Sequence, residues 1–102
     1  MLGLYENIGP IRFEITDGVE TVTTILGTAH IPFGIILETI NAIKMLNGTK
    51  CVFDVTVTPE FRFTCQNGRQ SLVIFDLNYV FQDFTVISQT IKKLQARWDQ
   101  LP

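Results

Sequence analysis

The chain has 102 residues, 46% hydrophobic and 18% charged, which is enough apolar material for one core and too little charge for a disordered segment. Eight Lys and Arg against ten Asp and Glu leave a net charge of −2, so no basic footprint for a phosphate backbone is visible and nucleic acid is not expected as a partner. No apolar run approaches the ~18 residues of a membrane span, and no basic stretch leads into an apolar one at the start of the chain. The expectation is one cytoplasmic domain over residues 1–102, with no membrane partner.

No repeat, low-complexity tract or linker stands out, so the chain reads as a succession of hairpins and amphipathic helices. Asp17-Gly18 separates Ile11–Thr16 from Val19–Leu26, a two-residue turn signal between β-rich runs. A two-residue register pairs Phe13 with Val22 and sets Ile11, Phe13, Ile15, Val22 and Leu26 on one face. Pro32 suits the first turn of a helix, and Phe33, Ile36, Leu37, Ile40 and Ile43 follow at helical spacing, so a helix is predicted from Pro32 to Leu46, stopped by Asn47-Gly48. The sequon Asn47-Gly48-Thr49 reads as that helix end and not as a glycosylation site.

Cys51, Phe53, Val55 and Val57 alternate with Val52, Asp54 and Thr56 in a third strand, which breaks at Thr58-Pro59. Phe61, Phe63 and Cys65 alternate in a fourth, and Asn67-Gly68 turns it into the next strand with Phe63 opposite Leu72 and Phe61 opposite Ile74. A three-residue turn at Thr58-Pro59-Glu60 pairs Val55 with Phe63 and Phe53 with Cys65, keeping the phenylalanines on one face. That register leaves Cys51 diagonal to Cys65, so both are expected as free, buried thiols. Leu72–Phe81 reads as one strand, apolar on both sides, that is either covered twice or bulged near Asp76. Asp83 or Thr85 caps a second helix carrying Phe84, Ile87, Ile91, Leu94 and Trp98 on one face.

The fold expected from this order is α+β, β-β-α-β-β-β-α, an antiparallel sheet of about five strands with both helices packed on one face. His30, the single histidine, stands before the first helix without a nucleophile and an orienting carboxylate that spacing would bring to it. No zinc-type ligand pairs, Gly-rich phosphate loop or paired acid and base are present, so no catalytic residue, metal or cofactor is expected. Val73, Phe75, Leu77, Tyr79 and Phe81 share one parity and, with Val52, exceed what one helix-covered face hides; either a bulge folds them into the core, the usual place of large apolar residues, or they form an exposed interface.

The pattern Phe53–Val57, then Thr58-Pro59-Glu60-Phe61-Arg62-Phe63, the Asn67-Gly68 hairpin and the closing amphipathic helix resembles small immunity proteins that neutralise bacterial polymorphic toxins, such as those paired with wall-associated toxins. The resemblance spans about half the chain. It implies a non-enzymatic binder that occludes a toxin or effector. Asp54, Glu60, Asp76, Tyr79 and Phe81 are the candidate partner contacts. A homo-oligomeric subunit, self-associating across a two-fold axis through the apolar parity, is the alternative. A small-ligand domain, which needs a polar cleft around His30, is the third reading.

Overall fold

The computed structural model describes residues 2–46 and 52–102. Cys51, the Asn47-Gly48 helix stop and the sequon lie outside the described residues. The order is β1 (Gly3–Ile8), β2 (Ile11–Thr16), β3 (Val19–Thr24), β4 (Gly27–His30), α1 (Phe33–Leu46), β5 (Phe53–Thr58), β6 (Phe61–Gln66), β7 (Arg69–Ile74), β8 (Leu77–Phe81) and α2 (Thr85–Asp99). The class is α+β with antiparallel sheets, but there are two four-stranded meanders, β1-β2-β3-β4 and β5-β6-β7-β8, in place of one sheet of about five strands.

Two tight turns account for the difference. Ile25-Leu26 carries no conventional turn letter and Phe75-Asp76 only its aspartate, yet each folds a long β-run into a hairpin. Phe75 and Asp76 take φ of 50° and 66°, the left-handed region that a two-residue hairpin turn requires. Asp76 therefore marks a turn and not a bulge. Leu26 leaves the core face, where the uninterrupted strand placed it, and is exposed in the β3-β4 turn. The strand Gly3–Ile8, to which the sequence reading assigned no element, pairs along β2 from Gly3 opposite Thr16 to Ile8 opposite Ile11.

The remaining registers follow the alternation. Phe13 faces Val22, Phe53 faces Cys65, Val55 faces Phe63, Phe61 faces Ile74 and Phe63 faces Leu72. The β5-β6 turn is the two residues Pro59-Glu60 and not the expected three, since Thr58 pairs with Phe61; a bulge between Thr56 and Thr58 supplies the one-residue shift that restores the expected pairing below it.

The chain is an internal duplication, contrary to the reading that it has no repeats. Arg12 and Phe13 recur 50 positions on as Arg62 and Phe63, in the same ladder positions, and Gly18 recurs as Gly68 in the turn that follows. Phe33, Ile36, Thr39 and Ile40 recur 51 positions on as Phe84, Ile87, Thr90 and Ile91. Details recur too: the Thr39 and Thr90 hydroxyls each donate to the carbonyl four residues back, at 2.8 Å. Glu20 Oε1 accepts the Phe33 N–H at 2.8 Å, and its counterpart Gln70 Oε1 accepts the Phe84 N–H at 3.2 Å. Each half thus caps its own helix from its third strand.

The halves interlock through their helices. The backbone of α2 approaches β1 and β2, while that of α1 approaches β5, and the helices touch one another. The core is accordingly common to both, with Phe13, Phe33, Phe61, Phe63 and Phe84 fully buried together with Ile36, Ile40, Ile87, Ile91 and Leu94. Phe63 stands edge-on to Phe61 and to Phe84, with centroids 5.3 and 4.8 Å away.

Candidate functional site

The parity expected to form an apolar patch does not exist as one surface. The Phe75-Asp76 turn reverses the chain, so Val73 is buried on the outer face of the second sheet while Leu77, Tyr79 and Phe81 join Leu72 and Ile74 on the inner face. Tyr79 and Phe81 are half-buried against the core, and Leu77 is more open. Val52 is exposed ahead of β5, at the far edge of the same sheet.

Four of the five expected contacts gather at one edge. Tyr79 and Phe81 belong to β8, the last strand of its sheet, and Asp76 occupies the turn that opens it. Glu60 lies beside that turn, since its carbonyl accepts the Phe75 N–H at 3.0 Å, and the carboxylates of Glu60 and Asp76 are both on exposed residues. Asp54 is elsewhere. It projects from the outer face of β5, the opposite edge, and forms an ion pair with Arg62 at 2.9 Å. The equivalent place in the first half holds Tyr5, whose ring lies 4.3 Å beneath the Arg12 guanidinium.

The backbone of β8 defines what this edge offers. Ile74 and Leu77 flank the two-residue turn and face each other. In an antiparallel ladder such a flanking pair exchanges both hydrogen bonds, and bonded and non-bonded pairs alternate along the strand. Tyr79 and Phe81 therefore also bond to β7, while the N–H and C=O groups of Asn78 and Val80 point away from the sheet. No backbone partner for them exists among the described residues.

The other edges are each blunted. On β1, Glu6 accepts from Lys93 at 3.1 Å and Arg97 at 3.0 Å as α2 lies against the strand. These cations, led by the hydrogen bond from Lys93, hold the Glu6 carboxyl below its ordinary value of 4.5. The β4 edge is four residues long, with Gly27 at φ +149°, and β5 carries Asp54 and the bulge. Short length, charge, bulging and a covering helix are the devices by which sheets refuse further strands. Leu77-Asn78-Tyr79-Val80-Phe81 is one residue longer than β4 and carries no charge and no bulge, and its Val80 is 59% exposed.

His30 and Cys65 are not brought together. His30 is exposed on β4, opposite Thr21 in the first sheet, and Cys65 is a buried free thiol opposite Gln70 in the second. A shallow hollow of about 380 Å³ touches His30 and Glu20, yet they flank it from opposite faces of the ladder, and the Glu20 carboxylate is engaged by the Phe33 N–H. The outer face of the second sheet carries a larger polar depression of about 500 Å³, lined by Thr64, Gln66, Arg69, Ser71, Asn78 and Val80. Sequence reasoning did not single out Asn78 and Val80, because the outward direction of their main chain depends on where the turn falls. The signal available was the lack of charge from Leu77 to Phe81. No helix among the described residues is long and apolar enough to cross a membrane.

No protein family, curated protein or solved structure matches this chain.

Proposed function

We propose that the chain is a non-enzymatic protein-binding module whose docking element is the β8 edge, acting in the cytoplasm. The observation that carries this reading is the unpaired, uncharged ladder of Asn78 and Val80, standing between the half-buried rings of Tyr79 and Phe81 and the exposed Leu77. An extended segment of a partner adds there as a ninth strand. Main-chain hydrogen bonds supply affinity, and alternate side chains supply selectivity. The exposed carboxylates of Glu60 and Asp76 at the start of β8 favour a segment with a basic residue at that end. An inhibitor of the immunity type works by such occlusion: a partner that lends a strand to β8 has its own working surface covered. The buried thiol of Cys65 suits a reducing compartment.

The test uses Val80→Pro. The Val80 N–H bonds to nothing in the sheet, so proline removes a donor for the partner while the internal ladder stays whole. A partner recovered from the producing cells and then purified should bind V80P at least about tenfold more weakly than the parent chain, a loss typical of one or two main-chain hydrogen bonds. Equal affinity with an unchanged circular-dichroism spectrum would remove β8 from the interface.

A further inference from the structure

We infer that, when no other partner is present, β8 pairs antiparallel with β8 of a second copy across a two-fold axis through Tyr79, joining two four-stranded sheets into one of eight. This rests on the reading of β8 as a docking edge and names the occupant that the free chain meets first. The argument begins with the direction of the backbone. Asn78 and Val80 point their N–H and C=O groups outward, and an axis at Tyr79 sets Asn78 opposite Val80 of the partner copy, and Val80 opposite its Asn78. Those are the two positions whose groups are free to exchange hydrogen bonds, so the four bonds close without a shift of register.

The side chains are self-complementary in the same register. On the inner face Leu77 stands opposite Phe81 of the other copy, Tyr79 meets Tyr79, and Phe81 meets Leu77. Tyr79 and Phe81 are partly covered apolar residues at the rim of the core and Leu77 is exposed beside them, so a second strand continues the core across the axis and covers Leu77 with the partner copy's Phe81. On the outer face Val80 and Asn78 pair, and no charge is brought against a like charge within the five residues. Just beyond the strand, the Asp76 carboxylate comes opposite Gln82, whose carboxamide is a donor, at both ends of the pairing. The segment from Asp76 to Gln82 therefore complements its own reverse: acid with amide, Leu with Phe, Asn with Val, Tyr with itself. Such an isologous contact closes on itself and leaves neither copy with a free β8 edge, so it yields dimers and not fibres.

Sedimentation equilibrium of the full chain at micromolar concentration, with amide exchange read at Asn78 and Val80, tests the pairing. The parent chain is expected to be a dimer with both amides slowed. N78K/V80K places lysine opposite lysine at both bonded pairs and should be monomeric, with fast exchange at these two positions and an unchanged circular-dichroism spectrum. N78K/V80E places opposite charges in the same pairs and should return the dimer. That recovery is specific to the register proposed and keeps the test valid should the double lysine variant fold poorly. A monomeric parent chain, or a dimer that N78K/V80K leaves intact, overturns self-pairing. The docking reading is judged separately by the V80P titration against a purified partner, so either can fall without the other.

Discussion

At the scale of single residues, the helix caps repay attention because they are supplied from a distance. Glu20 and Gln70 reach from the third strand of each half to the first N–H of the following helix, where a free donor and the positive end of the helix favour an acceptor. Each of Glu20→Ala and Gln70→Ala should cost about 1 kcal/mol in urea unfolding, the usual loss for a cap. Asp83 adds a local cap to α2, with its Oδ1 2.7 Å from the Thr85 N–H and hydroxyl, and these bonds hold its carboxyl below the ordinary 3.8. Glu6 is lowered likewise by Lys93 and Arg97. For both groups the folded state prefers the charged form, so the unfolded chain binds protons first as acid is added. Their stabilisation is complete above their ordinary values and is lost as pH falls through the lowered folded ones. Glu6→Gln should flatten the acid limb of a stability-against-pH curve below about pH 5, and a limb identical to that of the parent chain would show that the cations of α2 do not act through Glu6. These contacts were not legible in the sequence, since Glu6 and Arg97 are 91 positions apart.

At the scale of elements, the hairpins show which turn signals a linear reading catches. Asp17-Gly18 and Asn67-Gly68 have positive φ at both central positions, and their letters announce it. Phe75-Asp76 has the same geometry with an aspartate but no glycine, and Phe75 at φ 50° is an uncommon place for a bulky side chain. Its ring compensates by packing on the core, where its tip lies 3.7 Å from the position a Cβ would take on Gly27. Asp76→Gly should therefore leave thermal stability within about 0.5 kcal/mol, because glycine accepts this φ freely, while removing the carboxylate next to β8. Phe63→Ala removes the fully buried ring between Phe61 and Phe84 and should cost about 3–5 kcal/mol in the same assay.

At the scale of the whole molecule, the crossed helices make the halves depend on one another. Each sheet alone presents an apolar face that a helix approaching from the other half helps to cover. Unfolding is therefore expected to be a single transition, despite the duplication. Trp98, the one tryptophan, is built by the second half but lines a hollow with Ile15, Gly18 and Glu20 of the first. Its fluorescence should report the junction while far-ultraviolet circular dichroism reports both halves, and the two denaturation curves should coincide. A Trp98 signal that moves ahead of the dichroism would show that the helices undock before the sheets melt.

Short-range chemistry was written in the chain: the α+β class, both helices, the registers joining Phe13 to Val22, Phe53 to Cys65 and Phe63 to Leu72, and the apolar faces of β2 and β6. All of these follow from side-chain periods of two and 3.6 and from turns whose residues tolerate positive φ. The tertiary structure decided the number of sheets, the repeat and the free edge. A one-residue bulge in β5 and one extra residue before α2 put the two halves out of step, so the duplication survives in burial and capping more than in letters. A turn at Phe75-Asp76, made tolerable by packing that no local pattern encodes, decided which way Asn78 and Val80 present their backbone.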